Sequence, residues 1–232
     1  MNPNETYYGA TPVSELNQES RGVFVSRTYS HLFCSITAFT LLEIAYFKTG
    51  IAESVARVLL GGSWLIVLGA FMIVSWLARS VAHRAESKAA QYAALSGYVL
   101  AQSIIFIPLL FIANAYAPGA IASAAAVTFV AFTGLSLIAF YSRKDFSFLR
   151  GILMWGGIVA LVLIGAGAIF GFQLGTFFSV AMVALAGGAI LYDTSRVLHH
   201  YPEDRYVGAA LELFASVALM LWYVLRLFIG RR

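Results

Sequence analysis

Seven apolar stretches of roughly 20 residues follow one another along this chain with hardly an acid inside them, and this makes lipid rather than water the solvent for most of its side chains. About 20 apolar residues are what one helix needs to cross a hydrocarbon core of ~30 Å. The charged fraction agrees: 11% of the chain is charged, against about 25% in soluble domains. Backbone N–H and C=O groups have no water to bond in hydrocarbon, so each stretch must satisfy them internally. The fold class that follows is an all-α integral membrane protein, a bundle of seven transmembrane helices.

Hydropathy sets the spans at Ser30–Phe47, Val58–Ala78, Ala90–Ala113, Gly119–Tyr141, Gly151–Phe170, Leu174–Leu191 and Tyr206–Ile229. The connections are short, so neighbours run antiparallel in one domain, residues 28–232. Residues 1–27 are polar and are expected to form a loose cytoplasmic tail. They lack the basic start and apolar run of a signal peptide. The one cysteine, Cys34, falls in the first span and reads as a small core residue. Glycines such as Gly61, Gly62, Gly156, Gly157, Gly187 and Gly188 are expected to let helices approach closely.

Basic residues set the orientation. Arg21, Arg27, Arg79, Arg84, Lys88, Arg143, Lys144, Arg150, Arg196 and Arg205 fall on one side, and Lys48, Arg57, Arg226, Arg231 and Arg232 on the other. The richer side is expected in the cytoplasm, with the N-terminus. The terminal arginines disagree with a seventh full crossing, but 24 residues from Tyr206 to Ile229 are ample for one. The net charge of +4 reflects basic loops and implies no nucleic-acid partner. The lipid bilayer is the partner that the composition implies.

Ionisable groups at membrane depth are costly and therefore candidates for function. Glu43 lies late in the first span, within reach of the interface at Lys48. Asp193 ends the sixth, one turn before Arg196, where a helix C-terminus disfavours negative charge. Glu212 lies about 10 Å into the seventh, at 1.5 Å per residue. The sixth span ends, and the seventh begins, on the same side. Asp193 and Glu212 are thus expected to come together, and two carboxylates in low dielectric do not both ionise cheaply. One should hold its proton near neutral pH, as a pH-sensitive latch. Ser216, four residues after Glu212, shares its helix face, and Arg79 is a competing partner. His199 and His200 are placed to bind metal or sense pH, though an exposed loop pair more often does neither. The turn Tyr141–Ser147 reads as an interface anchor and helix start.

Several of these residues carry a resemblance. Ala189–Arg196, with its Tyr192-Asp193-Thr194, is similar to the Tyr-Asp-Thr-Gln signature of the Bax inhibitor family. Tyr206–Phe214, the ending Tyr223–Phe228, and Thr133–Leu137 leading into Arg143–Ser147 resemble that family's last helix and central motif. Arg27-Thr28-Tyr29 fits as well. The resemblance, which covers Arg27 to Phe228 and suggests a bacterial member in the plasma (inner) membrane, implies a last helix near the bundle centre. It also implies a pH-sensitive calcium leak gated by one aspartate on each of the last two helices. Asp193 matches the first; Ser216 stands where the second is expected, and Leu219 where the family often has Asn. Glu212, one turn from Ser216, is placed to supply the missing carboxylate.

Two functions follow. One is a proton-regulated cation leak in which Asp193, Glu212, Ser216 and Tyr192 offer oxygen to Ca²⁺, Asp193 and Glu212 through transient contacts. The other is a non-conducting protein that modulates a membrane partner, such as a protease or stress-response component, as some bacterial relatives suggest. No cofactor is expected, and no enzyme, since the sequence shows no nucleophile–base pair or metal-ligand set.

Overall fold

The computed structural model describes residues 12–230 apart from 63, 86 and 143. Arg143, Arg231 and Arg232, counted above for orientation, and the first 11 residues of the tail lie outside the described residues. Eight α-helices occur among the described residues: α1 (Gln18–Lys48), α2 (Ile51–Gly61), α3 (Trp64–Arg84), α4 (Lys88–Tyr116), α5 (Ala120–Ser142), α6 (Leu149–Phe170), α7 (Thr176–His199) and α8 (Tyr206–Ile229). Seven of them, all but α2, are long and apolar enough to cross a membrane.

The sequence spans and the helices differ where polar residues blur the hydropathy. The expected loose tail is helical from Gln18, where Asn17 caps α1 by accepting the Ser20 N–H at 2.8 Å. Just before it, the Val13 N–H donates to the Tyr201 carbonyl at 2.9 Å, so this segment docks on the α7–α8 connection. Val58–Gly61, assigned above to the second span, belong instead to the short helix α2. The sixth span continues past Leu191 to His199, so Asp193 lies inside α7 rather than at its end. The helix-end effect expected there does not apply, because it fades within the last turn.

α8 is the centre of the bundle. Its residues from Val207 to Ser216 are all buried, which covers its whole circumference. It packs on α1, α3, α4, α5 and α7. α8 is one unbroken helix over the length expected for the seventh span, with no re-entrant turn. Small residues permit this crowding. A Cβ on Gly208 would lie 2.9 Å from the Ala82 carbonyl oxygen, so this glycine sets how closely α8 approaches the end of α3. Cys34 faces outward and is exposed, contrary to its core assignment; its neighbours Leu32 and Ser35 take the buried face of α1.

Candidate functional site

The close approach of α3 to α8 brings Arg79 and Glu212 together at membrane depth. Arg79 Nη1 lies 3.0 Å from Glu212 Oε2. The Glu212 side chain is only 9% exposed, whereas Arg79 is 46% exposed. The other carboxylate oxygen faces His83, one turn after Arg79, with Nε2 at 3.7 Å. His83 Nε2 is also 3.1 Å from the Tyr201 hydroxyl, and its Nδ1 is 2.8 Å from the Arg79 carbonyl. The Tyr98 hydroxyl of α4 lies against the Arg79 guanidinium. Glu212 therefore has its counter-ion on α3.

Asp193 takes a different partner. Ser216 Oγ donates to Asp193 Oδ2 at 2.5 Å, joining α7 to α8 inside the bundle. Glu212 and Ser216 do share one helix face, yet they point to different neighbours. Among the described residues no hydrogen bond or ion pair joins Asp193 directly to Glu212: Ser216 is the residue within hydrogen-bond reach of Asp193, and Arg79 the one paired with Glu212. Arg196 does not pair with Asp193 either. Its guanidinium lies over the Tyr192 and Tyr201 rings, at 5.5 and 5.2 Å from their centroids.

His83, Tyr98 and Tyr201 escaped the sequence reading. Arg79 and His83 carried a usable signal, an i, i+4 pair of basic side chains on an otherwise apolar helix. Tyr201 carried none, because only the fold of the α7–α8 connection brings it there.

A cleft of about 1170 Å³ leads to this junction. It runs between α3 and α6 from Arg79, Asp193 and Ser216 to Arg226 and Ile229. Exposed Trp76 and Met154 stand on its two sides, so it opens toward the bilayer. The lining is mostly apolar. Its charged members are Arg79, Asp193 and Arg226.

Two other polar groups depart from expectation. Glu43 is not exposed but buried against the bundle, and both carboxylate oxygens lack a hydrogen-bond partner among the described residues. His200 lies 2.9 Å from Asp145 Oδ2, while the Ser147 N–H and hydroxyl donate to Oδ1 at 2.9 and 2.6 Å. Burial alone would push the Asp145 carboxyl up, but the bonds from Ser147 and His200 outweigh it and hold it down at about 2. The Phe146 N–H donates to Ser195 Oγ at 2.9 Å, which ties this turn to α7 two residues beyond Asp193.

Seven crossing helices, six of them arranged about the buried α8, with charged side chains paired inside the bundle, define a multi-pass α-helical membrane protein with an internal ionisable junction. A family model described as "Inhibitor of apoptosis-promoting Bax1" matches residues 21–232. The chain belongs to the Bax inhibitor-1 family. It is 36% identical over 100 residues to the "Modulator of FtsH protease YccA" of Escherichia coli K12, covering 42% of this chain and 44% of that relative. Over 111 residues it is 34% identical to an uncharacterized protein of Pseudomonas aeruginosa, covering 47% of this chain and 49% of the relative. These matches thus span about half of each relative's length. An uncharacterized protein of Campylobacter jejuni is 28% identical over 223 residues, 90% of both chains.

Proposed function

We propose that this protein is a pH-sensitive cation leak, chiefly for Ca²⁺, gated at the Asp193–Ser216 and Arg79–Glu212 pairs. The observation that carries the reading is that Arg79, Asp193 and Ser216 meet at one end of the cleft, with Glu212 buried behind in its ion pair with Arg79. Hard cations take oxygen ligands. Asp193 and Ser216 supply oxygen there, while Arg79, held from behind by Glu212, adds a positive charge. That charge bars a cation as long as Glu212 holds it in place. A proton on Glu212 removes the attraction that holds Arg79, and a proton on Asp193 removes the anion a cation would meet. The site thus has the parts of a proton-responsive gate, with no catalytic step and no cofactor. The test is Ca²⁺ flux into proteoliposomes between pH 6 and 8. Flux above that of protein-free liposomes, changing with pH, is the expected outcome; none at any pH ends the reading.

A second reading is favoured by the relative named a modulator of FtsH protease. On it, the chain binds and modulates a membrane protease without conducting. It gains if flux is absent and deletion of the protein alters turnover of that protease's substrates.

The setting of either function is the plasma (inner) membrane of a bacterium, with the N-terminus and the α3–α4, α5–α6 and α7–α8 connections in the cytoplasm. Basic residues gather at that end of the bundle. Single cysteines at Ser87 and Ser147, in a Cys34→Ala background, should resist an impermeant thiol reagent in intact cells. Labelling from outside would invert the orientation.

A further inference from the structure

The cleft is a binding site in its own right. Its walls are apolar, and apolar cavities do not hold ordered water well. It opens sideways between α3 and α6, where the surrounding medium is hydrocarbon. From Ser216 to Arg226 its α8 wall spans ten residues, ~15 Å at 1.5 Å per residue, about one leaflet of a ~30 Å core. At the end away from Asp193 stands Arg226. It donates to the Leu174 carbonyl at 2.8 Å and lies 5.9 Å from the Phe178 ring centroid. Among the described residues it has no carboxylate partner, unlike Arg79 at the other end. A guanidinium so placed suits a phosphate.

We infer that the cleft binds one anionic phospholipid, its acyl chain lying along α8 toward Ser216 and its headgroup phosphate on Arg226. A single chain matches the leaflet-deep, apolar, laterally open shape. The anionic headgroup matches the charge at its mouth. An acyl chain there also excludes the water that a leak needs, so the occupied state is the closed one. That consequence rests on the leak reading; the binding does not.

Trp222 lines the cleft and reports on it. With Trp64, Trp76 and Trp155 replaced by Phe, Trp222 is the sole tryptophan. In nanodiscs, lipids brominated on the acyl chain quench tryptophan on contact. Trp222 emission should fall, with brominated phosphatidylglycerol preferred over brominated phosphatidylcholine. Gly157 lines the cleft, and a Cβ there meets nothing within 4 Å, so Gly157→Leu fills the cleft without moving the backbone. It should restore the emission. Gly134→Leu, equally open but exposed on α5, should not. Arg226→Gln should reduce the preference for phosphatidylglycerol about tenfold, the worth of one charged hydrogen bond. Absence of quenching, equal quenching in Gly157→Leu, or a headgroup preference unmoved by Arg226→Gln each overturns the assignment. Because no transport is read, a negative result leaves the leak reading standing.

Discussion

Replacing Arg79 with Met is expected to destabilise the protein by about 3 kcal/mol, the low end of the cost of stranding one member of a buried ion pair. Glu212 is the group stranded: its side chain is 9% exposed, and Arg79 holds it at 3.0 Å. Among the described residues His83, at 3.7 Å, is the other basic group within 4 Å of it, and it compensates only when protonated. The cost stays at the low end because Arg79 is itself 46% exposed, so only one member of the pair is fully buried. Removing both charges tells more. Arg79→Met with Glu212→Leu leaves no stranded ion and should recover most of the loss, since a buried pair is often replaceable by packed apolar groups. Thermal unfolding of the purified protein in detergent micelles measures both. A single variant as stable as the parent, or a double variant as unstable as the single, would show that the pair does not hold α3 to α8.

Why this pair was legible only in part follows from what each signal reports. Hydropathy reports residues that lipid must touch, so it found the seven crossings and the full extent of α8. It lost α1 before Ser30 and α7 after Leu191, because polar side chains end an apolar run without ending the backbone bonds of the helix. The same blindness placed Asp193 at a helix end. Depth singled out Asp193 and Glu212, because few reasons exist to put a charge there, and Arg79 entered as their competing partner from the end of the second span. Pairing is a matter of helix rotation and spacing, which the sequence holds only indirectly. Glu212 meets Arg79 because Gly208 lets α8 close on Ala82 of α3, and Asp193 is left to Ser216 on the neighbouring side. Glu43 shows the opposite error. A short distance to Lys48 along the chain suggested exposure, but the face of α1 on which it lies is the buried one.

If protons work through these pairs, neutralising either carboxylate should flatten the pH response of the leak. Asp193→Asn keeps shape, removes the titration, and still leaves an oxygen to accept the bond from Ser216 Oγ. Glu212→Gln does the same on α8 but frees Arg79 from its 3.0 Å ion pair. Each variant should alter flux at neutral pH and leave little pH dependence between 6 and 8. Their effects should not add, because Asp193 and Glu212 lie on adjoining pairs of one junction; a double variant should resemble the stronger single one. Ser216→Asp is the decisive complement. It places a carboxyl against Asp193 where a hydroxyl now donates at 2.5 Å, and two carboxyls at that distance must share a proton to coexist. Its pH response should be steeper than the parent's. The measurement is Ca²⁺ flux in proteoliposomes at matched protein density, with each variant's folding checked by its elution from a sizing column. Should Asp193→Asn and Glu212→Gln both retain the parent's flux and pH profile, the two pairs are not the gate, and the structure of α7 and α8 serves packing or a partner instead.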